Sequence, residues 1–154
     1  MEALCDPKDL PKNELAAEVV RRFGELRLRV NGSSMLPAIR PDDLLLIRHC
    51  RIEQAGPGDV VLYIRHRRLF AHRVISRSGT WLVTQGDGVP QADAPVTADE
   101  LLGKVIRVVR RGETVGQESK PTLSARMAAT LFRSSATAGR LFMLLHGLQR
   151  RASL

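Results

Sequence analysis

The chain has 154 residues, 44% hydrophobic and 26% charged, which suits one folded domain with an appended element and excludes fibrous, collagen-like and wholly disordered chains. No apolar run approaches the roughly eighteen residues of a membrane-spanning helix, so none is expected. The net charge of +8 is uneven: residues 1–31 hold six acids and six bases, whereas residues 120–154 hold six bases and no acid.

In chain order, the start Met1-Glu2-Ala3-Leu4-Cys5-Asp6 is acidic and does not read as a secretory signal. Asn13 is placed to cap a helix in which Leu15, Val19, Val20 and Phe23 keep helical spacing until Gly24. Leu26-Arg27-Leu28-Arg29-Val30 alternates strictly, the pattern of a half-buried strand. From there to about residue 118 the pattern is β. Apolar runs at Leu44–Ile47, Val60–Ile64, Phe70–Ile75, Trp81–Thr84 and Val105–Val109 are separated by Gly, Pro or charged turns. Hairpin tips are expected at Arg67-Arg68, Ser78-Gly79 and Arg111-Gly112.

After Lys120-Pro121, Thr122 or Ser124 can cap a helix bearing Met127, Leu131 and Phe132, continued by Leu141, Phe142, Leu144, Leu145 and Leu148. Arg126, Arg133 and Arg140 recur every seven residues and so share one face. The expectation is a basic amphipathic tail that docks on the β-body or a second subunit, or that lies on an anionic membrane surface. With six aromatic residues in the chain, stacking platforms for single-stranded nucleic acid are poorly supplied, so no specific nucleic acid is expected. The division is 1–25 helical segment, 26–118 β-domain and 119–154 tail.

Three segments carry chemistry-bearing side chains. Asn31-Gly32-Ser33-Ser34-Met35-Leu36-Pro37 leaves a strand, and a serine at such a turn presents a hydroxyl beside its own N–H. In Phe70-Ala71-His72-Arg73-Val74-Ile75, alternation puts Phe70, His72 and Val74 on one face and Ala71, Arg73 and Ile75 on the other. Such a histidine is either a hydrogen-bonded core residue or the base that a hydroxyl nucleophile needs. Asp87 in Gly86-Asp87-Gly88, and Asp93, are either turn residues or carboxylates that hold a histidine in one tautomer. His49-Cys50, His66 and His72 match no zinc-site spacing, and no cofactor is expected.

The order and wording of these pieces resemble the type I signal peptidases, within the serine-peptidase group that includes the LexA-type self-cleaving repressors. The matching residues are Ser34-Met35-Leu36-Pro37 with Ile39 and Asp43, then Pro57-Gly58-Asp59-Val60-Val61. His72-Arg73-Val74-Ile75, Gly86-Asp87 with Asp93, and Leu102-Gly103-Lys104-Val105 complete a resemblance over about residues 26–109. It implies a mainly β (α+β) fold, a twisted antiparallel body with an N-terminal helix and a C-terminal basic helical tail. It further implies Ser34 as nucleophile and His72 where bacterial members carry lysine and others histidine. Asp87 and Asp93 fall at the acidic positions that assist histidine. The four lysines, Lys8, Lys12, Lys104 and Lys120, lie away from that wording, in keeping with the histidine-type branch. Gly88 departs from the asparagine usual after Gly-Asp.

The resulting expectation is a serine endopeptidase that cleaves a peptide or protein precursor by Ser-His acyl transfer, without the family's transmembrane anchor. It would be cytoplasmic, peripheral at the inner membrane face through its tail. Two alternatives stand beside it: a LexA-type self-cleaving regulator, and a non-catalytic β-fold binding module. The thirty or so residues before Ser34 are short for a DNA-binding domain plus a cleavage loop.

Overall fold

Helix α1 (Leu10–Phe23) opens the part of the chain, residues 10–116, that the computed structural model describes. Asn13 lies inside this helix rather than capping it, and its side-chain amide donates to the Arg67 carbonyl at 3.1 Å. The helix seats Ala17 and Val20 against the sheet, whereas Leu15 and Phe23 are 65% and 76% exposed. Of the helically spaced Leu15, Val19, Val20 and Phe23, Val20 is buried and Val19 half-buried, so the spacing holds on one side of the helix and fails at Leu15 and Phe23. A small residue beside a β-branched one lets the helix lie close on the strands, and the bulkier pair turns to solvent.

Eight strands follow: β1 (Glu25–Arg29), β2 (Leu44–His49), β3 (Val60–Arg65), β4 (Arg68–Ser78), β5 (Trp81–Gln85), β6 (Val96–Thr97), β7 (Leu101–Arg110) and β8 (Glu113–Gly116). They form one antiparallel sheet in the order β1-β2-β7-β3-β4-β5-β6, with β8 paired to β7. Over the described residues the protein is thus mainly antiparallel β with one N-terminal helix. Among the described residues no helix is long and apolar enough to cross a membrane. The expected tail helix and the 119–154 segment lie outside the described residues.

The run Val60-Val61-Leu62-Tyr63 is continuous, not alternating, because β3 is buried on both sides. Val60 and Leu62 join Val20, Leu45, Ile47 and Val105 in one core, and Val61 and Tyr63 join Val74, Leu82 and Val96 in the other. A strand that divides two cores needs large apolar side chains at successive positions. Buried on both sides, it is a rigid support for its neighbour β4, which carries His72.

The hairpin between β3 and β4 turns at His66-Arg67, one residue earlier than expected, and both residues have positive φ (49° and 62°). That geometry matches the twist of the flanking strands. Similarly, Ser78 pairs with Trp81, which moves the next tip to Gly79-Thr80, whereas the turn at Arg111-Gly112 falls where expected. A register shift between Val74 and Ser76 bulges Ile75 out of the alternation and leaves it 45% exposed.

Candidate active site

The segment between β1 and β2 forms a loop closed at its base. The Val30 N–H donates to the Asp43 carbonyl (2.9 Å), and the Asp42 N–H donates back to the Val30 carbonyl (2.8 Å). Asp43, 2% exposed, receives the Arg110 fork through Nε (2.8 Å) and Nη2 (2.7 Å) and the Arg40 N–H at 2.8 Å. Met35 and Ile39 plug the first core. Between these anchors the chain makes a helical turn, with the Leu36 N–H on the Ser33 carbonyl and the Ile39 N–H on the Met35 carbonyl. Ser34 sits half-buried at the start of this turn, after the exposed residues Asn31, Gly32 and Ser33.

His72 lies on β4 opposite Val61, so it shares the face of the second core with Val61, Tyr63 and Val74. The rings of Tyr63 and Phe70 stack at 5.3 Å, and each meets the His72 ring edge-on, at 6.2 and 6.0 Å. Packed on two sides, the imidazole is 6% exposed. Its Nε2 lies 2.9 Å from Ser34 Oγ and its Nδ1 2.7 Å from Asp93 Oδ2. A carboxylate only accepts, so Nδ1 carries the proton, and in the neutral ring Nε2 accepts from the serine hydroxyl. Residues 34, 72 and 93, which the sequence separates widely, thus form one hydrogen-bonded series.

Asp93 stands in the loop between β5 and β6. Its N–H donates to the Thr84 carbonyl (2.8 Å), and the Thr84 hydroxyl donates to its Oδ2 (2.7 Å). Burial pushes the Asp93 carboxyl up, but the hydrogen bonds from His72, Thr84 and the Tyr63 hydroxyl, with the nearby imidazole, outweigh it and hold the group below its ordinary value. The Tyr63 hydroxyl is pushed well above the ordinary phenol range by burial and by the Asp93 charge, so it stays a proton donor.

Asp87, the alternative acid for the second ring nitrogen, does not lie beside the imidazole. Arg73 takes both its oxygens, Nε to Oδ1 at 2.8 Å and Nη2 to Oδ2 at 2.7 Å, and sends Nη1 to the Gly58 carbonyl at 2.8 Å. Neighbouring residues on a strand point to opposite faces, so Arg73 projects away from the His72 side and carries Asp87 with it. Of the two acids offered as the histidine's partner, Asp87 is instead the anchor of the turn that follows β5. That turn meets the Ser34 loop directly: the Gly88 N–H donates to the Ser34 carbonyl at 2.9 Å. A Cβ on Gly88 would stand 3.1 Å from the Leu36 carbonyl oxygen, tight enough that a side chain there requires the loop to give.

Thr84 and Tyr63 were not singled out in the sequence. Their signal is cross-strand: Val74 pairs with Thr84 and Tyr63 with Phe70, which brings both to the His72 face. Cys50 is buried in the second core, and burial pushes its thiol up to about 11, so it stays protonated and is no competing nucleophile.

A hydroxyl on an imidazole whose second nitrogen is held by a carboxylate can pass its proton to the ring as it attacks an electrophile. No family model matches the chain, and no curated protein matches it.

Proposed function

We propose that this chain is a serine endopeptidase of the histidine-type signal peptidase kind, cleaving a peptide or protein precursor by acyl transfer. The observation that carries the reading is the series Ser34 Oγ, His72 and Asp93, with contacts of 2.9 and 2.7 Å. The antiparallel body with its N-terminal helix is in keeping with that resemblance. In the reaction, His72 Nε2 accepts the Ser34 proton while Oγ bonds to the scissile carbonyl carbon. The charge that develops on the carbonyl oxygen meets the Ser34 N–H, which has no acceptor among the described residues. His72 returns the proton to the departing amine, and the C–N bond breaks. Water then enters, with His72 again as base, and the acyl–Ser34 ester is hydrolysed. Asp93 holds the Nδ1 proton in place and stabilises the imidazolium as it forms.

The site of action in this reading is cytoplasmic, with the basic segment 119–154 against an anionic membrane surface. Flotation with anionic vesicles at low salt, lost in high salt, is the expected result for that localisation. The chemistry itself is tested with a fluorophosphonate, which forms a Ser Oγ–P bond as fluoride leaves. Wild type should be labelled at Ser34. Ser34→Ala should take up no probe, and His72→Ala should lose at least about a thousandfold in rate, since the two act as a unit. Ser33→Ala should label within about threefold of wild type, because that side chain is exposed and outside the series. An unlabelled wild type would turn the reading toward a non-catalytic binding module.

A further inference from the structure

We infer that Thr84 is a positioning residue of this site: its hydroxyl and its main-chain carbonyl together orient Asp93, and so aim His72 at Ser34. The inference rests on the peptidase reading for its consequence, though the contacts stand without it.

Asp93 belongs to a loop and has no strand ladder to fix it. Thr84 is in β5, paired with Val74, and is completely buried. It touches Asp93 twice, its carbonyl taking the Asp93 N–H at 2.8 Å and its hydroxyl giving to Oδ2 at 2.7 Å. The first bond sets where the residue sits, and the second sets how the carboxylate is turned. Oδ2 is also the oxygen that receives the His72 proton, at 2.7 Å. Two donors converging on one oxygen leave the carboxylate little rotational freedom, and the Tyr63 hydroxyl adds a third hydrogen bond to it. Thr84 is β-branched, so its own χ1 is stiff. Sheet rigidity thus passes through a hydroxyl to a loop carboxylate, and from there to the ring.

The test compares Thr84→Val, which keeps the shape and removes the donor, with Thr84→Ser, which keeps the donor and removes a buried methyl. Fluorophosphonate labelling is followed near pH 8, with Asp93→Asn as reference. The low-field proton resonance of His72 Nδ1–H provides a readout that needs no activity. The expected result is that T84V labels about tenfold more slowly, the loss of one hydrogen bond to a charged group. Its low-field resonance should broaden or vanish. T84S should label within about twofold of wild type and keep the resonance, even though the lost methyl lowers its melting temperature. The orders of activity and of stability should therefore differ, which a purely structural role would not produce. Wild-type labelling and resonance in T84V would overturn the inference, as would T84S falling as far as T84V. If wild type takes up no probe, the peptidase reading fails, and the resonance alone decides whether Thr84 orients Asp93.

Discussion

Gly86 and Ser34 meet backbone to backbone, so closely that a Cβ built on Gly86 would lie 2.6 Å from the Ser34 carbonyl oxygen. The same carbonyl receives the Gly88 N–H at 2.9 Å, and the two contacts make the turn after β5 a wall for the Ser34 loop. Gly86→Ala should therefore push Ser34 out of register with His72. The expected loss in fluorophosphonate labelling is about a hundredfold or more, since a displacement near 1 Å at reacting groups costs that much. The strands have no reason to melt, and circular dichroism should stay that of the parent. Labelling at the parental rate would mean that the two loops shift together.

The two acids should separate cleanly under mutation. Asp87 and Arg73 form a buried pair, with side chains 9% and 10% exposed. Asp87→Ala removes the carboxylate that takes two of the Arg73 nitrogens in this buried pair and should cost about 3–5 kcal/mol in urea unfolding. Asp93→Asn removes no such partner. It should remain folded and lose labelling by about a thousandfold or more, because the amide cannot hold the required tautomer. The opposite pattern, a stable D87A and an unfolded D93N, would reverse the assignment of structural and chemical acid.

Asp93 also sets a direction for pH dependence. Its folded-state carboxyl is held below its ordinary value, so the chain binds the proton there less readily folded than unfolded. The hydrogen bonds it accepts then contribute stability that is full above about pH 4 and is lost as pH falls through the lower folded value. The difference in unfolding free energy between wild type and D93N should accordingly narrow on acidification from neutral pH to about pH 3. A gap that widens over that range would contradict the stated direction.

How far these features could be read without coordinates depends on the range of the interactions involved. Local alternation is enough for β1, because Leu26 and Leu28 face a core while Arg27 and Arg29 face water. The two-residue strand β6 has no period to detect and exists only because Trp81 and Leu82 pair with Thr97 and Val96. The buried face of α1 is only partly legible for a similar reason: Val20 follows the apolar spacing, whereas Ala17 is chosen by closeness to the sheet and not by its own hydrophobicity. At the site, the wording around Ser34 and His72 brought the pair together in advance. Choosing between Asp87 and Asp93 required knowing that Arg73 claims one of them. Tyr63 and Thr84 were invisible because their relation to His72 is a strand register, which local spacing does not encode.

The neck formed by Val30 and Asp43, locked by Arg110 at the far end of β7, has a mechanical meaning. A chain segment whose two ends are pinned to a sheet cannot fray from either end, and its disorder is confined to what the tip alone can explore. The order of Ser34 thus draws on the strands below it as well as on the tip's own turn. Residues of the tip that face solvent are correspondingly free to vary in shape and chemistry, and a binding surface could be remodelled there while the hydroxyl keeps its address beside the imidazole.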